Sequence, residues 1–288
     1  MVLVAGATGS LGSRIAKGLR ARGDEVRALV RPGSNGEALE RAGVSLAFGD
    51  LRDPATLDAA CAGVDIVIST ASATGRSDDT PENVDGKGNA NLIVAARRAG
   101  VSHFVLVSAL GSSAESPVPA FRAKAFAEQA LRTSGLTWTI LQPAAFMDVW
   151  FAMFIEGPLA AGLPVTLVGE SRRRHSFIAE KDVAAFAIAA ATDPAAKNTT
   201  LVLGGPAAVT FRDVVAAYES ALERAIPVVR VAPGEPIPGL PEPVWGIAAA
   251  LETFDSPIPM EHMAQTFGVA LTTLEMFASR SHFEPGAH

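Results

Sequence analysis

Apolar residues along this chain keep two periods. Short unbroken runs alternate with longer stretches in which apolar side chains recur every third or fourth position. The runs Val2–Ala5, Glu25–Val30, Val44–Phe48, Val64–Ser69, His103–Val107 and Thr137–Leu141 read as strands covered on both faces. Between them, the stretch through Ile15 and Leu19, Pro54 to Cys61, Pro81 to Ala99 closed by Gly100, and Phe121 to Thr133 read as helices. Such alternation implies a parallel sheet with right-handed crossovers. Ligands of these sheets lie beyond the carboxyl ends of the strands, so Gly6, Arg31, Asp50, Thr70, Ala71 and Ser108 are expected along one crevice.

From Phe146 the texture changes. Phe146, Met147, Trp150, Phe151 and Phe154 recur at helical spacing and give one oily face, suited to a core, a substrate pocket wall or a subunit contact. Further on, Asp182 to Thr192 reads as a helix and Thr199 to Leu203 as a strand. Thr210 to Arg224 reads as a helix that opens on an N-cap at Thr210 with Asp213 three residues later. Pro227 to Pro243 is a connector around a short strand, and Val244 to Arg280 is a helical tail. The expected division is a nucleotide-binding domain over 1–145, rejoined by about 176–205, and a substrate lobe with C-terminal helices over most of 146–288.

The first strand runs into Gly6-Ala7-Thr8-Gly9-Ser10-Leu11-Gly12 and then a helix. Glycines there let the backbone turn tightly and approach a pyrophosphate, while the helix N-terminus offers free N–H groups and a positive dipole end. The unit is that of a dinucleotide site, and the fold class is α/β, a Rossmann-type doubly wound parallel sheet with a small C-terminal α/β lobe. A carboxylate closing the second strand would bond a ribose 2′-OH and repel a 2′-phosphate, whereas an arginine accepts the phosphate. Arg31 stands there, so NADP(H) is expected in preference to NAD(H).

Composition narrows the partners. Hydrophobic residues make up 49% and charged residues 19%, a globular balance. A formal net charge of −6 gives no electrostatic footprint for nucleic acid or an anionic membrane. The single cysteine, Cys61, can form neither an internal disulfide nor a cysteine metal cluster and reads as a small buried apolar residue. The chain opens directly on a strand, leaving no room for a secretion signal, so a cytoplasmic setting is expected. The oily region Phe146 to Val168 is interrupted by Asp148, Glu156, Pro158 and Pro164, which argues against a membrane span.

Ordinary short-chain dehydrogenases pass a proton through a tyrosine four residues before a lysine. Here Ala120 stands four residues before Lys124, and the one tyrosine, Tyr218, lies in a late helix. That tyrosine mechanism is excluded. The glycine run, Val30-Arg31, Gly49-Asp50-Leu51, Phe121-Arg122-Ala123-Lys124 through Glu128 and Ser134 to Pro143 resemble the NmrA-like atypical short-chain dehydrogenase/reductases. Phe177 to Ala184 and Gly204-Gly205-Pro206 extend the resemblance over nearly the whole chain.

The resemblance implies roles residue by residue. Gly6, Gly9 and Gly12 would hold the pyrophosphate, with Thr8, Ser10 and Leu11 in the same loop. Arg31 would take the 2′-phosphate, Asp50 and Leu51 would flank the adenine, and Thr70, Ala71 and Ser72 would touch the nicotinamide half. Lys124 would bond the nicotinamide ribose and serve as general acid or base, with Ser108 or water as another proton source. Gln142 replaces the arginine usual before that proline. Gln142, Phe146, Met147, Trp150, Phe151 and His175 are the expected substrate contacts, His175 as a possible proton donor. His103 reads as structural, and Arg172-Arg173-Arg174 as a solvated turn or an anion site.

These readings predict an NADP(H)-dependent reductase, monomeric or homodimeric, that passes hydride to a small apolar or aromatic acceptor such as a quinone, enone or imine. The alternative is a non-catalytic NADP(H)-sensing regulator.

Overall fold

The computed structural model describes residues 1–73 and 78–280. Its strands are β1 (Val2–Ala5), β2 (Val26–Val30), β3 (Ser45–Phe48), β4 (Ile66–Ser69), β5 (His103–Val107), β6 (Thr137–Pro143), β7 (Val165–Val168), β8 (Thr199–Leu203) and β9 (Val228–Val231). Seven of them form one parallel sheet in the order β3-β2-β1-β4-β5-β6-β8. Val2 to Ala5 are wholly buried because β1 is central: Val4 lies opposite Ala28 of β2 on one side and Ile68 of β4 on the other. The direction of winding reverses between β1 and β4, which makes the ends of these two strands the switch point where such sheets bind ligands.

The chain forms two compact units. Met1–Pro143, Lys181–Leu203 and Gln265–Val269 make the first; Ala144–Glu180, Gly204–Ala264 and the chain from Ala270 make the second. In the first, Leu3, Val67, Phe104 and Ile140 of the sheet pack with Leu92 and Leu131 of the covering helices. Phe267 joins the same unit by meeting Phe186 edge-on at 6.0 Å. Cys61 is buried, and burial pushes its thiol up to about 11. Pro81–Ala99 begins with a π-helical turn, Glu82–Gly86, before the α-helix Lys87–Arg98. Gly100, at φ +74°, closes it, with the Val101 N–H donating back to the Ala96 carbonyl.

The second unit is built on aromatic packing. β7 pairs in parallel with β9, so the end of the oily stretch Phe146–Val168 is a strand. Phe151 meets Phe177 at 5.1 Å and Phe277 edge-on at 5.6 Å, and Trp150 stacks on Phe154. The helix Phe211–Leu222 opens on a reciprocal capping box between Thr210 and Asp213. Tyr218 on that helix is fully buried, its hydroxyl donating to Glu156, which also pairs with Arg280. The tail is three helices, Glu242–Leu251, Glu261–Phe267 and Leu274–Ala278, rather than one. Pro257 and Pro259, which have no N–H to give, fall in the first break, and Gly268, at φ +63°, ends the second helix. Among the described residues no helix is long and apolar enough to cross a membrane.

His103 begins β5 as a buried side chain. Its Nδ1 lies 3.1 Å from the Ala191 carbonyl, which can only accept, and its Nε2 lies 2.9 Å from Thr139 Oγ1. Thr139 Oγ1 in turn donates to the Ala196 carbonyl at 2.7 Å, and burial lowers the pKa of the ring. Below the usual histidine pKa of about 6.5 the unfolded ring takes a proton that the folded ring refuses, so acid favours unfolding. Denaturant midpoints should therefore fall from pH 7.5 to pH 5.5, and His103→Gln should flatten that slope while lowering the midpoint at pH 7.5.

Candidate functional site

The glycine loop separates packing from ligand approach. Gly6 takes φ +79°, and a Cβ there would stand 2.6 Å from Thr70 Oγ1. A Cβ on Gly12 would collide with the Gly6 carbonyl oxygen and lie 2.8 Å from Thr70 Oγ1. Both positions are closed to any side chain by Thr70 and Ala71, just after β4, and by the loop itself. Gly9 differs, since its nearest neighbour would be at an ordinary 3.4 Å. Gly9 is also the N-cap of the helix Ser10–Arg22 and has no side chain with which to cap the first-turn N–H groups. Thr8, Gly9 and Ser10 are exposed and Leu11 is half-buried. An exposed helix N-terminus with room above Gly9 fits a pyrophosphate.

At the ends of β2 and β3, charges are paired. Arg31 Nη1 donates to both oxygens of Asp79, at 2.9 and 2.8 Å, and the Asp79 side chain is only 2% exposed. Arg52 Nη1 approaches the same carboxylate at 3.1 Å and that of Asp78 at 3.0 Å, while its Nη2 donates to Asp50 at 2.7 Å. The Arg52 hydrogen bond holds the Asp50 carboxyl below the usual carboxylate range, and Asp50 and Asp78 raise Arg52 in turn. Leu51 is buried beside them.

At the exits of β4, β5 and β6, two buried carboxylates organise the polar groups. Lys124, on the helix Pro119–Arg132, lies 2.8 Å from Asp85 Oδ1; Asp85 is buried in the π-helical turn and its Oδ2 accepts from the Ala73 N–H at 2.9 Å. Asn89 bonds Ser69 and the Ala71 carbonyl. The segment Thr70, Ala71 and Ser72 is thus held from both sides, and Thr70 itself packs on the glycine loop. Glu128, also buried, accepts from the Ser108 hydroxyl at 2.5 Å, from Gln142 Nε2 at 2.8 Å and from Arg132 at 2.9 Å. Ser108 therefore gives its proton to Glu128 and presents an acceptor oxygen elsewhere.

In the second unit, Phe146 and Trp150 are half-buried, whereas Met147 and Phe151 are core side chains at 2% and 0% exposure. His175 is buried: Nε2 lies 3.0 Å from the Leu251 carbonyl and Nδ1 lies 2.8 Å from Ser256 Oγ. The carbonyl fixes the Nε2–H tautomer, the Ser256 hydroxyl serves the other nitrogen, and burial lowers the pKa. Both ring nitrogens of His175 are thus engaged within the fold. Arg172 and Arg173 pair with Glu170 and Asp255 as solvated charges.

Sequence reading missed Arg52, Asp79, Asp85, Asn89 and Glu128 as site groups. A signal existed for Asp85 and Asn89, charged or polar residues on the inward face of an apolar helix. None existed for Asp79, whose partner Arg31 is 48 residues away.

A family model described as NAD(P)H-binding matches residues 6–194. The chain is 35% identical over 231 residues to the NAD(P)H azoreductase of Xenophilus azovorans, covering 80% of this chain and 77% of that protein. It is 33% identical over 207 residues to the photosystem II assembly factor Ycf39 of Synechocystis sp., 72% of this chain and 63% of that one. An NADPH-dependent quinone oxidoreductase from Escherichia coli, solved with NADPH, shares the fold with a TM-score of 0.79 at 21% identity, over 97% of this chain and 99% of that chain.

The glycine geometry makes a paired prediction. Gly12→Ala should lower the melting temperature and the yield of folded protein, because the collision is with backbone. Gly9→Ala should melt as the wild type does yet bind NADPH at least about tenfold more weakly, read by fluorescence titration.

Proposed function

The chain belongs to the NAD(P)H-binding family of atypical short-chain dehydrogenase/reductases, and from that premise we propose that this oxidoreductase prefers NADP(H) and reduces a conjugated apolar acceptor. The acceptor class is a quinone, enone or imine, to which the azoreductase relative adds azo compounds.

The observation that carries the reading is the pairing of Lys124 with buried Asp85 in a chain whose one tyrosine is locked in the other unit's core. A lysine held by a fixed carboxylate keeps its orientation, as ribose binding and proton delivery both require. In this reading Gly6, Thr8, Gly9, Ser10, Leu11 and Gly12 cradle the pyrophosphate and Arg31 meets the 2′-phosphate. Asp50 and Leu51 flank the adenine, and Thr70 to Ser72 border the nicotinamide half. Bound NADPH supplies the hydride. Lys124 orients the ribose and delivers, directly or through water, the proton that completes the two-electron reduction. Ser108, fixed by Glu128, accepts a hydrogen bond, and Gln142 is held in place by the same carboxylate. Conjugated acceptors are already electrophilic, so positioning supplies much of the acceleration and a tyrosine acid is not needed.

One observation favours a second reading. The likeness to Ycf39, a photosystem II assembly factor, fits a protein that binds NADP(H) and acts on a protein partner without turnover.

Anaerobic loss of NADPH absorbance with quinones, enones, imines and azo dyes decides between them. Turnover is expected, with Lys124→Ala lowering kcat by about a hundredfold; NADPH binding without turnover of any acceptor would favour the second reading. Tyr218→Phe should keep kcat within about threefold, while losing about 1–2 kcal/mol of stability with the Glu156 hydrogen bond.

A further inference from the structure

The ion pair at the end of β2 bears on cofactor choice. In a dinucleotide fold this strand end faces the adenosine ribose, and a guanidinium there attracts a 2′-phosphate. Arg31 is not waiting for one: its Nη1 spans both oxygens of Asp79. Arg52 also approaches Asp79 Oδ1, at 3.1 Å. Two guanidiniums converging on one nearly buried anion is the arrangement a bound phosphate would show. Counting Asp50 and Asp78 with Asp79, these described groups carry two positive and three negative charges.

We propose that Asp79 is an internal stand-in for the 2′-phosphate and is the residue that limits the preference for NADP(H) over NAD(H). The inference rests on reading Gly6–Gly12 as the dinucleotide loop. A 2′-phosphate has to take Arg31 and Arg52 from Asp79, and leaves that carboxylate to find water or repel it. A 2′-OH brings no charge and leaves the pair intact. Arg31 by itself would select strongly for the phosphorylated cofactor; Arg31 bound to Asp79 selects weakly. Asp78 is the natural control, being adjacent in sequence, 67% exposed and in contact with Arg52.

The test uses the adenosine halves of the two cofactors, so that binding is read without catalysis. Dissociation constants of 2′,5′-ADP and 5′-AMP are measured by calorimetry at fixed ionic strength for the wild type, Asp79→Asn, Asp78→Asn and Arg31→Gln. Asp79→Asn keeps the shape and removes the charge. It should tighten 2′,5′-ADP by about tenfold or more and leave 5′-AMP within about twofold, whereas Asp78→Asn should change the ratio of the two by less than about threefold. Arg31→Gln should make 5′-AMP the tighter ligand of the two, because Asp79 then faces the phosphate with less compensation; this arm reads the same carboxylate if Asp79→Asn does not fold. An unchanged ratio in Asp79→Asn, an equal change in Asp78→Asn, or a ratio still favouring 2′,5′-ADP in Arg31→Gln overturns the inference alone. Failure of the wild type to bind either nucleotide overturns the dinucleotide reading and the inference with it.

Discussion

The contact on which the first unit depends is the approach of Gly12 to the Gly6 carbonyl and to Thr70 Oγ1. It brings the start of the helix Ser10–Arg22 against the ends of β1 and β4, at the point where the sheet reverses its winding. Because the helix begins there, its first-turn N–H groups face the switch point, and because Gly9 adds no side chain, the approach stays open. Packing and binding geometry thus come from one constraint, the absence of Cβ atoms in a turn too tight to hold them.

Around that turn the polar groups follow one rule: each cation is fixed by a carboxylate largely removed from water. Lys124 is held by Asp85, Arg31 by Asp79 and Arg132 by Glu128, whose side chains are 1%, 2% and 4% exposed. Removing either partner of such a pair strands a charge in low dielectric, so the pairs resist rearrangement. Asp85 also holds the backbone after β4 and Glu128 also holds Ser108 and Gln142, which links the strand exits into two small networks. At Lys124 this fixation prepares a positive group. At Arg31 it consumes one.

The second unit uses a different economy, aromatic packing with polar groups closed on themselves. Tyr218, Glu156 and Arg280 satisfy one another, and His175 is answered by Ser256 and Leu251. Residue types that suggest acid–base chemistry serve here to keep a small core free of unpaired polar atoms.

The sequence by itself determined what depends on neighbours along the chain. Strands β1 to β6, the glycine loop, the Gly100 stop and the Thr210 capping box follow from local period, φ preference and caps, and the lack of a positioned tyrosine follows from counting. Tertiary structure alone decided which side chains meet. The same helical spacing put Phe151 and Met147 in the core and left Trp150 and Phe146 half-buried, because period shows that a face is apolar but not what covers it. A histidine after three arginines reads as a candidate substrate contact, and only the fold shows that Leu251 and Ser256 engage both its nitrogens. Arg31 reads as a free cation until Asp79, far along the chain, is folded onto it, since a parallel sheet joins residues through crossovers that no local pattern records.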